Sequence, residues 1–184
     1  GESPLPQPDA GSTVFAAGQF NNIGGAGRVG LAALSSQTGA ATAWNANGNG
    51  ICVSLTVSGS RVYVGGLFSS IGGQSRSNVA ALDTGTATAL AWNPTANQIG
   101  WVFVPQDSSV YIAGDFTSIG GQNIGYLAAV DTVNGNARSW SPTPDNPVRA
   151  MAISGSSVFA GGLFASVGAV TRNNIASVDL ISGV

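Results

Sequence analysis

Residues 62–94 read VYVGGLFSSIGGQSRSNVAALDTGTATALAWNP, and this stretch decides the fold. The pattern recurs along the chain at a fixed spacing of 48 residues. Its copies start at Val14, Val62, Val110 and Val158. A period between about 20 and 50 residues is typical of repeat architectures, in which each unit buries its apolar face against the next. The sequence therefore predicts stacked repeat units over residues 14–184, preceded by a proline-rich segment over residues 1–13.

Each repeat reads as four short strands. In the second repeat the predicted strands are residues 52–57, 62–68, 79–82 and 88–92. They are rich in β-branched and aromatic residues, are separated by Gly, Asn and Asp turns, and show no helical periodicity. Four antiparallel strands in a unit of this length are typical of a β-propeller blade, whereas a parallel β-helix needs much shorter coils and is the less favoured alternative. The sequence predicts an all-β fold, a β-propeller of four blades.

Glycine and tryptophan recur at the same positions of the repeat, which favours a structural role for both. A glycine in a strand lets a neighbouring backbone or a bulky ring approach closely. A tryptophan is large enough to fill the wedge between adjacent blades. The predicted structural residues are Trp44, Trp92, Trp140, Gly18, Gly65, Gly66, Gly114, Gly161 and Gly162.

The first and last units are predicted to be incomplete blades. By register, the first strand of the first unit would occupy residues 3–9, where three prolines cannot supply a strand ladder. The fourth unit reaches Val184 before its tryptophan strand. The expected total is fourteen strands, which leaves two alternatives: an imperfect four-blade ring, or a part of a longer chain or of an assembly of copies.

The composition argues against several classes of function. Only 8% of the residues are charged, the net charge is −2, and the cations are all arginine, with no lysine and no histidine. This balance gives no electrostatic support for nucleic-acid binding, and no apolar stretch approaches the ~20 residues that span a bilayer. The single cysteine, Cys52, is predicted to be a buried strand residue. A weakly charged, lysine-free surface favours a secreted or cell-surface protein and makes self-association easier.

The repeat quoted above resembles those of bacterial secreted β-propeller proteins built from domain-of-unknown-function repeats. It is also similar to the repeats of fungal cortical polarity marker proteins, which share a GG-x-F...GG...N-(I/V/L)-A signature, and it is distantly kelch-like. The chain departs from the pattern at single positions: Ala17, Ala113, Ala169 and Ser35. The resemblance implies an extracellular or surface interaction module, with no shared catalytic residues.

Candidate binding residues lie in the loops, which in a propeller emerge together on one face. The Ile-Gly-Gly loops carry Arg28, Arg76 and Arg172 at one register, with Ile124 as the exception in the third unit. These arginines indicate either a partial ring for an anionic ligand or, as the favoured interpretation, repeated structural hydrogen bonds. Asn45 and Asn93, which follow the tryptophans, and Asp115, which the repeat does not require, complete the candidate ligand-binding set.

The carboxylates give little support for catalysis. Asp83, Asp131 and Asp179 begin equivalent turns and are predicted to be turn residues. Asp115, with Asp107 or Asp145, could form the acid and base pair of a glycoside hydrolase, which stays a remote alternative. No metal site and no cofactor is predicted.

Three hypotheses of function follow from the sequence. The favoured one is a non-catalytic structural or assembly module, at the cell surface or outside the cell, that associates with copies of itself or with the rest of a longer chain. The alternative is a module that binds a glycan or a protein through the loop face. A glycoside hydrolase is the third.

Overall fold

The computed structural model describes residues 13–184 of the chain. The proline-rich segment predicted for residues 1–13 lies outside the described residues, except for Thr13, where the first strand begins. The strand position at residues 3–9 lies outside them as well. From Thr13 onwards the chain forms strands and turns without a helix. That part of the chain therefore holds no helix with the length and apolarity needed to cross a membrane. The all-β prediction is confirmed.

The strands repeat in the same order in each unit. The first unit holds β1 (Thr13–Ala17), β2 (Asn22–Ile23), β3 (Ala26–Gly27) and β4 (Leu31–Ser35). The second holds β5 (Ile51–Ser58), β6 (Arg61–Leu67), β7 (Ser70–Ile71), β8 (Gln74–Ser75) and β9 (Val79–Asp83). The third holds β10 (Gly100–Gln106), β11 (Ser109–Gly114) and β12 (Leu127–Asp131). The fourth holds β13 (Val148–Ser154), β14 (Ser157–Gly162), β15 (Ser166–Val167), β16 (Val170–Thr171) and β17 (Ile175–Asp179).

The longer strands of each unit form one small antiparallel sheet in which neighbours in the chain are neighbours in space. The sheets are β5-β6-β9, β10-β11-β12 and β13-β14-β17, and in the first unit β1 pairs with β4. The two-residue strands form miniature hairpins within the Ile-Gly-Gly loops: β2–β3, β7–β8 and β15–β16. The corresponding loop of the third unit has a single bridge between Ile119 and Gln122. The described residues thus form a series of small antiparallel sheets.

The prediction of a fourth strand in the repeat is wrong. Where that strand was expected, the described structure has only a single bridge. The bridges are Leu34 to Ala41, Leu82 to Ala89 and Val130 to Ala137. The amide of Ala89 donates to the carbonyl of Gly72 at 2.9 Å, in the Ile-Gly-Gly loop of its own unit, and no further ladder forms. Gly72 has φ +62°, and a Cβ on it would lie 2.4 Å from the Ala89 nitrogen, so only glycine permits this contact. The sheets of the second, third and fourth units therefore have three strands, and in the first three units the chain after the bridge turns its tryptophan into the core.

The apolar cores lie between consecutive units, at contacts that we call the first, second and third junctions. On β6, Val62 and Val64 face the first unit, whereas Tyr63 faces the third. The third junction repeats the arrangement with residues of β11 and β14. Each middle sheet therefore buries both of its faces. Cys52 belongs to the first core, and burial raises the pKa of its thiol to about 12, which confirms the predicted buried cysteine.

A β-bulge interrupts the first strand of each three-stranded sheet at the same register. The extra residues are Val53 in β5, Trp101 in β10 and Arg149 in β13. A bulge bends its strand and re-aims a side chain out of the regular alternation. We call these three positions the bulge residues.

Candidate functional site

The three recurrent tryptophans connect each unit to the next. Each indole Nε1 donates to the backbone carbonyl of a turn aspartate across the junction: Trp44 to Asp83 at 3.0 Å, Trp92 to Asp131 at 2.8 Å and Trp140 to Asp179 at 3.0 Å. Each ring also meets an aromatic ring of its own unit edge-on, with centroids 4.9–5.1 Å apart: Phe15, Tyr63 or Tyr111. A buried indole needs a partner for its N–H, and here the next unit supplies it. The predicted packing role of the tryptophans is confirmed.

The predicted glycines serve close contact of the backbone. A Cβ on Gly66 would lie 2.0 Å from the Ile51 carbonyl oxygen, and one on Gly65 would lie 1.9 Å from the Gly100 carbonyl oxygen of the next unit. Gly114 and Gly162 meet the carbonyls of Ile99 and Pro147 at 2.2 and 2.3 Å in the same way. Gly18 and Gly161 are less constrained, because the nearest atoms would lie at 3.2 and 3.8 Å. The predicted structural role holds most strongly for Gly65, Gly66, Gly114 and Gly162.

The outward face of the fourth unit is uncovered in the described structure. Ile175 is 70% exposed and Phe159 is 44% exposed. The residues at the register of Ile175 in the middle units, Val79 and Leu127, are fully buried. Those at the register of Phe159 are Tyr63 and Tyr111, which pack on the tryptophans and are buried as well. We call the surface around Ile175 and Phe159 the trailing face.

Among residues 13–184, the first unit also has an uncovered face, on the side opposite to the second unit. Val14 is 50% exposed, although its register partners are fully buried against the preceding unit. Those partners are Val62, Val110 and Val158. We call the surface around Val14 the leading face. The two end faces carry the apolar residue types that meet each other at every internal junction.

The loop arginines are held by backbone carbonyls. Arg28 donates to the carbonyls of Gly27 and Thr42 at 2.7 and 2.6 Å. Arg76 repeats the pattern with Ser75 and Leu90 at 2.8 Å each. Arg172 donates to Thr171 at 3.0 Å. These contacts correspond to the favoured structural interpretation, and binding of an anion by the three arginines stays a prediction.

The two candidate asparagines differ in their surroundings. The side-chain oxygen of Asn45 accepts a bond from the Asn47 amide at 3.1 Å, so it shapes a local turn. The side-chain oxygen of Asn93 is buried and has no hydrogen-bond partner among the described residues. In the described structure, neither asparagine forms a hydrogen bond with a loop arginine. Their role in ligand binding stays a prediction.

Asp115 belongs to a cluster with two bulge residues that sequence reasoning did not single out. Trp101 Nε1 donates to Asp115 Oδ2 at 2.9 Å, and the Arg149 guanidinium lies 2.8 Å from Asp115 Oδ1. The guanidinium carbon also lies over the Trp101 ring, 5.0 Å from its centroid, which is a cation–π contact. Residues from the third and fourth units therefore meet at the bulges. The signal available in the sequence was that all three residues break the repeat at positions where its other copies carry different chemical types.

The turn aspartates are confirmed as turn residues. The Asp83 carboxylate accepts bonds from the amides of Gly85 and Thr86 at 2.9 and 2.8 Å and from the Thr86 hydroxyl at 3.0 Å. These donors, those of Thr86 first, hold the pKa of Asp83 below its ordinary value. Asp131 and Asp179 repeat the turn. Ser35 makes it with a hydroxyl in the first unit, with bonds of 3.3 Å.

Asp145 anchors the connection between the third and fourth units. Its Oδ1 accepts bonds from the amides of Ala165 and Ser166 at 2.9 and 3.2 Å, and Oδ2 accepts one from the Ser166 hydroxyl at 3.0 Å. At the same register of the two earlier junctions, the side-chain oxygens of Asn49 and Asn97 accept the equivalent pair of backbone amide bonds, and their side-chain nitrogens donate to the hydroxyls of Ser69 and Thr117. The backbone amides, Ala165 first, lower the pKa of Asp145. A carboxyl with a lowered pKa is poorly suited to act as a general acid near neutral pH.

We expect Asp145→Asn to leave stability at neutral pH nearly unchanged and to reduce the loss of stability in acid. The lowered pKa means that Asp145 contributes stability above its unfolded pKa of about 3.9 and loses that contribution as the pH falls through the folded value. An amide at this position keeps the acceptor and does not titrate, as Asn97 shows. Thermal melts between neutral pH and about pH 2 measure the effect. An acid slope equal to that of the unaltered protein would contradict it.

Comparisons with known proteins bear on the fold alone. No protein-family model matches the chain, and no curated protein matches it. Among solved structures, it is similar to the crystal structure of the computationally designed Ika8 protein (crystal packing No.1 in P63), with a TM-score of 0.54 and 14% sequence identity. The match covers 83% of this chain and 41% of the designed one. The chain thus spans less than half the length of the designed protein it matches.

Proposed function

We propose that this chain is a non-catalytic structural module of the β-propeller type, and that it assembles with a second copy of itself. In this proposal the leading face of one copy packs on the trailing face of the next. The weakly charged, lysine-free composition supports an extracellular or cell-surface setting. It also supports association, because a protein with little net charge is weakly repelled by its own copies.

The observation that carries the proposal is the exposure of Ile175 on the trailing face. Its side chain is 70% exposed, although the same register position is fully buried at each internal junction. Removing such a side chain from water contributes roughly 1.5–3 kcal/mol. Phe159 adds an exposed aromatic side chain, whereas Tyr63 and Tyr111 at the same register are buried. An uncovered apolar face of this kind is typical of a contact surface.

The internal junctions indicate what kind of surface fits there. Tyr111 faces the fourth unit at the third junction, where it packs in one core with Val158. Val14 stands at the register of Val158 and is half-exposed on the leading face. A second copy would therefore bring Val14 to the trailing face, at the register where an internal unit brings its own valine. Such a head-to-tail contact produces a closed ring or an open filament, depending on its angle.

Two observations favour a non-catalytic function. The Asp115 carboxylate forms an ion pair with Arg149 and accepts a hydrogen bond from Trp101. The Asp145 carboxylate is engaged by backbone amides of the next unit. Of the carboxylates considered for a hydrolase, two are thus occupied in holding units together. We expect Asp115→Asn to weaken that contact between units rather than to remove an activity.

We expect Ile175→Asp to shift the native particle towards the mass of a single chain. The substitution places a charge on the trailing face, and burial of an unpaired charge opposes association. A central contact of this kind typically corresponds to at least about a tenfold change in association constant. Light scattering on a size-exclusion column, over a range of protein concentrations, measures the mass. The matched control is Val133→Asp, because Val133 is equally exposed at 70% and lies in a turn away from both end faces.

The two variants carry the same added charge, so only the position of the charge differs between them. The proposal requires a multiple of the chain mass for the unaltered protein and for Val133→Asp, and a lower mass for Ile175→Asp. A single-chain mass for the unaltered protein at every concentration would contradict association between copies. Equal masses for the two variants would contradict the assignment of the contact to the trailing face.

A further inference from the structure

A groove of about 650 Å³ opens at the first junction, between the first and second units. Its walls include two aromatic side chains, Phe15 and Trp44, and the apolar side chain of Leu55. Three threonines, Thr13, Thr42 and Thr84, bring hydroxyl groups to the same groove. Small-molecule sites in proteins typically have volumes of about 300–1,000 Å³. The groove is therefore large enough for a ligand of one or two rings.

Three side chains that line the groove are smaller than the side chains at the same register of the second junction. At the second junction, Arg61 stands where Thr13 does, and its guanidinium donates to the Thr132 carbonyl across the junction. Phe103 stands at the position of Leu55, and its ring stacks on Tyr63 with centroids 6.5 Å apart.

The third difference between the two junctions lies at Thr42. Thr42 has as its register partners Leu90 at the second junction and Arg138 at the third. Leu90 packs against the second core, and Arg138 donates to the Ser108 carbonyl at 2.6 Å across its own unit. The first junction therefore differs from the second at three positions that together leave the groove open.

The lining of the groove indicates a neutral ligand that is both polar and apolar. None of the described side chains that line it carries a charge. A threonine hydroxyl can both donate and accept a hydrogen bond, which suits a ligand with many hydroxyl groups. Phe15 is partly exposed beside the buried Trp44, with their centroids 5.1 Å apart, and it offers an aromatic surface for an apolar C–H face. A sugar ring combines an apolar C–H face with a rim of hydroxyls.

We infer that the groove at the first junction binds a neutral saccharide. The sugar ring lies against Phe15, and its hydroxyls bond to the threonines around it. The site is separate from the trailing face, so it does not depend on association between copies. Leu55 forms the apolar wall on the side of the second unit.

The test uses the whole chain labelled with 5-fluorotryptophan, which gives one fluorine resonance for each of its four tryptophans. Cellobiose, maltose and N,N′-diacetylchitobiose are the probes, each titrated to millimolar concentration. We expect at least one of them to shift the resonance of Trp44, which lines the groove, and to leave Trp92 and Trp140 unmoved. Single tryptophan-to-phenylalanine variants assign the resonances.

Filling variants locate the site. Leu55→Phe and Thr42→Leu place in the groove the side chains that the second junction already carries, so both are compatible with the fold. We expect each to weaken saccharide binding by at least about tenfold while the protein stays folded. The matched control is Leu163→Phe, since Leu163 is exposed elsewhere, on the fourth unit. It should bind as tightly as the unaltered protein.

Three results would overturn the inference. One is the absence of a Trp44 shift with every probe, and another is an equal shift with glycerol, which has hydroxyls without a ring. The third is unchanged affinity in both filling variants. A shift of Trp44 that Leu55→Phe and Thr42→Leu abolish and Leu163→Phe retains would support it.

Discussion

We expect Trp92→Ala to lower the free energy of unfolding by about 3–5 kcal/mol. Trp92 is 1% exposed and sits in the core of the second junction. The substitution removes the edge-on contact with Tyr63 and leaves the Asp131 carbonyl without its indole donor. The cost of the lost burial and the cost of the cavity add to each other, because the sheets on both sides of Trp92 keep the cavity from collapsing. Guanidinium melts followed by circular dichroism measure the change.

A graded variant separates the parts of this effect. Trp92→Phe keeps an aromatic ring and removes the bond to Asp131, so we expect a smaller loss, of about 1–2 kcal/mol. Trp101→Ala is the control for loss of an indole outside the cores, because Trp101 is only partly buried at its bulge. A loss below about 1 kcal/mol in Trp92→Ala would contradict the assignment of this residue to the core.

We expect Gly65→Ala to destabilise the protein by about 3 kcal/mol, the upper end of what overpacking costs. The new methyl carbon would lie 1.9 Å from the Gly100 carbonyl oxygen and 2.7 Å from the Ser54 hydroxyl. That hydroxyl donates to the same carbonyl at 2.7 Å, so it holds the second and third units close together at this point. The methyl therefore has to push two sheets apart.

The control is the same substitution at the same register of the fourth unit. A Cβ on Gly161 would have its nearest neighbours, the Asn174 carbonyl and Ala150, at 3.8 and 3.9 Å. We expect Gly161→Ala to change stability by no more than about 0.5 kcal/mol, or to raise it slightly by restricting the unfolded chain. Alanine already stands at this register as Ala113 in the third unit, where Val102 replaces the hydroxyl of Ser54. Equal melting curves for the two variants would refute the close approach at Gly65.

The repeat itself could be predicted from the sequence, because identity at a fixed spacing does not depend on knowing the fold. The burial of Trp44 and its equivalents followed from their shared register, since a residue that every unit repeats serves the contact between units. The turn aspartates were predictable on the same ground. The fourth strand was not. Whether Ala89 continues a ladder or bonds to Gly72 depends on where a loop of the same unit comes to lie.

The candidate sites were harder to predict, because they lie where the repeat is broken. Asp115 was identified as an exception, but its partners were not, since a bulge decides where Trp101 and Arg149 point. A bulge is a property of strand pairing and leaves no fixed signature in a single sequence. The groove was missed because it depends on side-chain volumes compared across two units. Such a comparison has meaning only once the packing of β1 against β5 is known.

The placement of the cores between units has a consequence for how the protein folds. Each core is formed by two neighbouring units, so an isolated repeat would have no apolar interior to stabilise it. The smallest cooperative element is therefore a pair of neighbouring units. The second and third units each share in two cores, whereas the first and fourth each share in one. Opening therefore becomes progressively easier from the middle of the stack towards its ends, and the end units are the first to fray.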